Sequence, residues 1–264
     1  MNDIQIEEAK KMQLEILKEV ASFCDKNNLR YFIYYGTYLG AVRHRGFIPW
    51  DDDIDICMPR PDYIRFIDSF QHEYYSVFSW KKENSCLCPF GKVIDTRTEL
   101  KENGDWGEPM GVNIDVFPVD GLPTNDLKRK KWINHMRLCW GMQVAASVGD
   151  YSRRPLAHRI EIALIKTFYK IVPIQHYLTG VTIKQAQKYS FDESEFVAVV
   201  VWGYGMREVV HRDSIFPLRK VQFEDDDFWA PATDECLIHA YGDYMQLPPE
   251  EKRVYRHLPK IAWK

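Results

Sequence analysis

Apolar residues recur at helical spacing from Ile4 to Cys24, at Ala9, Met12, Ile16, Val20 and Phe23. The pattern stops at Asn27-Asn28, which predicts an N-terminal helix. The run "LRYFIYY" predicts a buried strand, leading through Gly36-Thr37 into a short helix over "TYLGAVRH". After Pro49, "DIDICM" predicts a second strand and "PRPDYIRFIDSF" a helix with proline in its first turn. "KVID" and "GVNIDVFPVDG" predict further strands, the second stopped by Pro118 and Gly121. Residues 126–148 and 155–189 read as amphipathic helices, "FVAVVVW" as a strand and residues 232–241 as a last helix. Strands at the front, then helices with one or two strands, predict an α/β or α+β fold: a mixed sheet flanked by helices, with a helical insertion. No repeat, low-complexity tract or linker divides the chain, so residues 1–264 read as one domain.

Composition narrows the setting. The chain is 45% hydrophobic and 28% charged, ordinary for a soluble globular protein. The polar start "MNDIQIEEAKKM" carries no signal peptide, and the longest apolar run, Phe196 to Trp202, is far short of the ~20 residues that span a bilayer. Six cysteines scattered through regular elements predict reduced thiols and, with the rest, a cytoplasmic location. "CLC" at 86–88 has no second pair at ligand spacing, which argues against zinc. The net charge of −3 is unevenly placed: residues 127–190 hold 12 basic and 2 acidic side chains, net +10. Such a block is either a solvated helical face or a surface for an anionic partner. Within it, "LKRKKWINHMRLCW" sets Lys128, Arg129, Lys130 and Lys131 beside Trp132, Ile133, Met136, Leu138 and Trp140. That combination suits a membrane interface, and ordinary packing of the two tryptophans is the competing reading.

The chemistry concentrates in "GFIPWDDDIDICMPRPDY", where Asp51, Asp52, Asp53 and Asp55 crowd together beside apolar sequence. Neighbouring carboxylates disfavour one another's ionisation. On a strand, Asp53 and Asp55 would project from the same face. A cation resolves the conflict, and oxygen donors suit Mg²⁺ or Mn²⁺. An exposed acidic loop is the plain alternative. A calcium loop fails, because Ile56 stands at the position that needs glycine and Asp62 where a bidentate glutamate belongs. Asp115, between apolar residues in "NIDVF", is a third candidate carboxylate, and Asp120 sits in a turn before Gly121. Gly36 and Thr37, where strand meets helix, offer backbone N–H groups and a hydroxyl to an anion. Strand, Gly-Thr, helix, Asp-x-Asp strand and a third Asp on a later strand is the order of the nucleotidyltransferase fold.

"YYGTYLGAVRHRGFIPWDDDIDICMPRPDY" resembles the signature of the LicD family of phosphocholine transferases, relatives of the fukutin-related ribitol-phosphate transferases. The likeness continues in "GKVIDTRT", "VNIDVFPVDGLP" and "YGDYMQLPPEEKRVYRHLP", about a third of the chain, and is weakest across residues 127–215. It implies a nucleotidyltransferase fold and a CDP-linked donor, with Asp53, Asp55 and Asp115 as metal ligands. The expected reaction is transfer of phosphocholine from CDP-choline to a glycan hydroxyl, releasing CMP. The acceptor would be a lipid-linked teichoic acid or lipopolysaccharide precursor, at the inner face of an anionic membrane and with no role for nucleic acid. One or two Mg²⁺ would bridge the diphosphate, and Asp115 or Asp120 would take the acceptor's proton. Gly36, Thr37, Arg43, His44 and Lys92 are candidate phosphate-binding residues. Choline, a quaternary ammonium, calls for aromatic faces, and Trp50, Tyr34, Tyr35, Tyr38, Trp106, Tyr241 and Tyr244 lie near the matched motifs. The alternatives are transfer of another phospho-alcohol, nucleotidyl transfer with pyrophosphate release, and a binding module without catalysis. The intact set of aspartates argues against the last.

Overall fold

The computed structural model describes residues 4–100, 111–147, 152, 155–255 and 261–264. Helix α1 (Ile6–Lys26) leads into β1 (Phe32–Ile33), α2 (Tyr35–His44), β2 (Asp55–Pro59) and α3 (Arg60–Ser69). Strands β3 (Tyr75–Phe78), β4 (Gly91–Asp95), β5 (Thr98–Leu100) and β6 (Asn113–Leu122) follow. Helices α4 (Asp126–Ser147), α5 (Leu156–Ile171) and α6 (Gln175–Ala186) are inserted before β7 (Phe196–Ala198) and β8 (Val210–His211). A hairpin of β9 (Arg219–Phe223) and β10 (Asp226–Ala230), helix α7 (Glu235–Tyr241) and β11 (Ile261–Trp263) complete the chain.

The main sheet runs β1-β2-β6-β4-β3, with β7 joined to the far end of β6 and β8 to β7. Only β2 and β6 pair in parallel, so the sheet is mixed, in an α+β fold as the periodicity indicates. Helices α1 and α3 pack against β6, which is therefore the central strand of the core. Its first half alternates, with Ile114 and Val116 buried and Asn113 and Asp115 on the more open face. Its second half is buried throughout.

Several boundaries differ from the sequence reading. Strand β6 continues through Pro118 and Gly121. Its pairing with β4 ends at Val116 and its pairing with β7 begins at Asp120, so Pro118 meets only Met58 of β2. Asp120 is thus a buried strand residue, not a turn residue. Only Phe32–Ile33 of "LRYFIYY" is strand, because α2 starts at Tyr35, and β7 keeps three residues of "FVAVVVW". The helix expected over 155–189 is two helices, broken at Val172-Pro173, since proline removes a backbone donor. Helix α4 buries Ile133 and Met136, and half-buried Trp132 packs against that core. Arg129 turns inward to the carbonyls of Pro123 and Thr124. All six cysteines are free thiols.

Candidate active site

Parallel pairing of β2 with β6 sets Asp55 opposite Asp115, and antiparallel pairing of β4 with β6 sets Lys92 opposite the same residue. Directly opposed residues project to one face of a sheet, so Lys92, Asp115 and Asp55 stand abreast. The Lys92 ammonium forms an ion pair with Asp115 and lies 3.4 Å from Oδ1 of Asn113. It is thus held at the carboxylates rather than at a strand edge.

The loop before β2 adds three more carboxylates. Oxygens of Asp51, Asp52 and Asp53 all lie within 4.8 Å of one another, and among the described residues this is the one such cluster of three possible metal ligands. The carboxyl of Asp55 is pushed well above the usual carboxylate range, first by burial and then by the charges of Asp53, Asp115 and Asp51, with Lys92 pulling the other way. Asp53 lies outside β2, which begins at Asp55. The two therefore do not meet by strand alternation; Asp53 enters from the loop. Five carboxylates against the nearby cations Lys92 and Arg43 leave an excess of negative charge. The donors are all hard oxygens, a set that fits Mg²⁺ or Mn²⁺. Asp53, Asp55 and Asp115 belong to it, together with Asp51, which the motif alone did not single out as a ligand.

Local sequence explains why the loop returns to the strand. After α2, Arg45 caps the helix at φ +59° and the chain doubles back. A Cβ on Gly40 would lie 2.4 Å from the carbonyl oxygen of Gly46, so only glycine permits the reversal. A Cβ on Gly36 would lie 2.5 Å from Oδ2 of Asp51, so that carboxylate rests directly on the first turn of α2. Buried Thr37 accepts a hydrogen bond from the Asp55 N–H at 2.8 Å, which makes it a positioning residue for the start of β2. Gln13 donates to the Asp52 carbonyl at 3.0 Å, and the Asp115 N–H donates to Ile54 at 2.9 Å.

The remaining candidates divide. Arg43 donates to His44 Nε2 at 2.9 Å and to the Tyr244 carbonyl at 3.0 Å, and it feels the charge of Asp51. It therefore reaches the cluster's edge. Burial and the Arg43 charge hold His44 below its ordinary pKa, so it is the neutral acceptor behind Arg43. Asp120 is a correction. It lies five positions beyond Asp115 on β6, hence on the opposite face and about 16 Å along the strand. There it is fully buried in a bidentate pair with Arg60, both contacts 2.6 Å, and out of reach as a proton acceptor for the cluster.

Aromatic residues wall the site. Phe90 lies under the Lys92 ammonium at 5.5 Å and contacts Phe117 at 4.4 Å and Trp202 at 5.3 Å. Trp140 packs on Trp202, while Phe117 meets Tyr35, Tyr35 meets Tyr204, and Tyr204 meets Tyr241. Tyr241 feels the charge of Asp55, so the wall adjoins the carboxylates at both ends. Beneath it, buried Glu208 accepts from the Tyr204 N–H at 2.8 Å and the Tyr35 hydroxyl at 3.0 Å, and burial raises its pKa to about 7. Trp202, Tyr204 and Glu208 were not singled out from sequence, because an isolated glutamate and two rings in "VWGYGMREVV" carry no periodic or spacing signal. Of the rings that were, buried Tyr38 donates to Asp234 at 2.5 Å and Tyr244 donates to the same carboxylate at 2.7 Å. Trp50 lies beside His44 with Arg253 over its ring, and Trp106 is outside the described residues.

Residues 28–140, which span this site's strands, match the family model described as "LicD/FKTN/FKRP, nucleotidyltransferase domain". Across 98% of both chains, the protein is 27% identical to the "Lipopolysaccharide cholinephosphotransferase LicD" of Haemophilus influenzae. An uncharacterized protein of Rickettsia typhi, RT0683, is 46% identical over 47% of this chain and 39% of its own length. Strand order, the Asp-bearing loop and the row on β2 and β6 all fall within the matched span, so the part of this chain that holds the site is similar to the LicD nucleotidyltransferase domain.

Proposed function

We infer that the protein is a phosphotransferase that moves phosphocholine from CDP-choline to a glycan hydroxyl and releases CMP. The observation that carries this reading is the carboxylate cluster bordered by Lys92 and an aromatic wall. It is supported by end-to-end similarity to a lipopolysaccharide cholinephosphotransferase. Asp53, Asp55 and Asp115, joined by Asp51, would hold Mg²⁺ or Mn²⁺, which supplies charge neutralisation at the donor diphosphate. Lys92 and Arg43 add fixed positive charge for phosphate oxygens, Lys92 as a point charge and Arg43 as a fork. The bare backbone at Gly36 leaves the first turn of α2 open beside Asp51. The acceptor oxygen bonds to the phosphocholine phosphorus as the bond to the CMP oxygen breaks, and the acceptor's proton passes to a carboxylate. Of the two candidates for that role, Asp120 is sequestered by Arg60 and Asp115 stands in the cluster.

The trimethylammonium end has no hydrogen-bond donor and binds through ring faces. Tyr204 and Tyr241, with Trp202 beside them, are rings of the wall that are not fully buried, and Glu208 lies beneath Tyr204. We assign the choline group to this side. The acceptor would be a lipid-linked lipopolysaccharide or teichoic acid precursor on the cytoplasmic face of the membrane. The test is incubation with CDP-choline, Mg²⁺ and candidate glycans, followed by phosphorus NMR. CMP with a new phosphodiester is the expected outcome; pyrophosphate release would replace this reading by nucleotidyl transfer.

A further inference from the structure

Helix α5 has two apolar faces and only one of them is covered. Ile162 is buried, and the helix packs on that side against α4. On the other side Leu156, Ile160, Leu164, Phe168 and Ile171 are 69%, 53%, 66%, 48% and 73% exposed. At 3.6 residues per turn these five fall within about 120° of the helix circumference. Arg159, Lys166 and Lys170 lie together along one flank of that stripe, and Glu161 is the single acidic residue of the helix. Isolated exposed apolar residues are normal, but a continuous stripe of this length on a soluble surface marks a contact. It sits in the segment 127–190, whose net charge is +10. No described helix is long and apolar enough to cross a membrane.

We propose that α5 is a membrane-docking helix that lies in the plane of an anionic bilayer. Leu156, Ile160, Leu164, Phe168 and Ile171 enter the boundary between headgroups and acyl chains, and Arg159, Lys166 and Lys170 lie at the anionic headgroups. The physical case is the pairing of the two features. An apolar stripe alone would serve a second protein equally well, but a cationic flank in a strongly basic segment complements a negatively charged surface. The longest exposed apolar stripe belongs to α5; on α4, Ile133 and Met136 face the core while Leu127, Leu138 and Met142 are exposed. A shallow, reversible attachment of this kind requires no transmembrane segment.

The test is vesicle flotation of the intact chain. Wild type is expected to float with vesicles of equal parts phosphatidylglycerol and phosphatidylcholine, weakly with phosphatidylcholine alone, and less as salt rises. Leu164→Glu combined with Phe168→Glu should lower the partition constant at least about tenfold, since it sets charge into the apolar boundary. Lys166→Gln and Lys170→Gln should each lower it by about fivefold at low salt. None of the four residues belongs to the carboxylate cluster, so CMP release with a water-soluble acceptor reports that the variants remain folded, and far-UV circular dichroism does so if no activity is found. Absence of flotation at low salt overturns the proposal. So does a wild-type dimer in sedimentation that Leu164→Glu makes monomeric, which would assign the stripe to a second copy of the chain.

Discussion

Asp55→Asn should stabilise the metal-free protein and abolish its activity. The substitution keeps shape and one carbonyl acceptor while removing a charge from the centre of the cluster. Two unit charges ~5 Å apart repel by about 3 kcal/mol at an effective dielectric of ~20. Asp55 faces Asp53, Asp115 and Asp51, and Lys92 offsets part of that repulsion. A net gain of about 1–3 kcal/mol for the asparagine variant in EDTA at pH 8 follows, or roughly 2–10 °C in Tm for a chain of this size. The pH dependence carries the sign. The folded pKa of Asp55 is raised above its unfolded value, so the wild type loses stability as pH rises from the unfolded pKa through the folded one. Below the unfolded value, near pH 3–4, the two proteins should therefore melt together. Mg²⁺ should reverse the order at pH 8, since a ligand at a hundred times its Kd adds about 2.7 kcal/mol to the wild type only. Differential scanning fluorimetry across pH 4–8, with EDTA and with Mg²⁺, reads all of this. A variant less stable than wild type at pH 8 in EDTA would refute the argument, because charge repulsion would then not dominate at Asp55.

Asp120→Asn should behave oppositely, losing about 3–5 kcal/mol in urea denaturation by leaving Arg60 buried without its partner, while the folded fraction keeps activity within a few-fold. Glu208→Gln should add stability above pH 7 and none below pH 4.5, because the folded pKa of about 7 against the ordinary 4.5 lowers wild-type stability as pH rises between those values; thermal melts at pH 4 and 8 check it. Gly36→Ala should shift Tm by no more than a few degrees yet cut turnover at least about tenfold, because the new Cβ displaces the Asp51 carboxylate, a mobile side-chain end. Tyr204→Ala should raise KM for CDP-choline by about 3- to 30-fold with Tyr204→Phe near wild type, the range of a cation–π contact; equal effects of both would remove the ring from the choline site.

Much of this architecture was legible in the sequence because its signals are local. Periodicity gave α1 and the alternating half of β6, and the turn chemistry around Gly36 marked the strand-to-helix junction. The aspartates in positions 51–55 and Asp115 stood out because charge beside apolar sequence demands a partner. What escaped was set by tertiary contacts. No local rule places Arg60 against Asp120, which turned a candidate proton acceptor into a structural ion pair. Pro118 usually ends a central strand, and here it falls between two partners of β6. Asp53 reaches the cluster through a loop fold that depends on glycine at positions 36 and 40. The aromatic wall draws rings from six elements or loops, and no spacing in the chain announces them.

Because Lys92, Asp115 and Asp55 align only when three strands pair in one register, the cluster also proofreads the sheet. A one-residue slip of β6 would present Ile114 or Val116 to Asp55 and drive the Asp115 carboxylate into the apolar core. A divalent ion that needs all the carboxylates would bind only the correct pairing, and its binding energy would count against every slipped alternative rather than for the loop alone. The ion would then act as an editor of strand alignment during folding, in addition to whatever it contributes once the enzyme is formed.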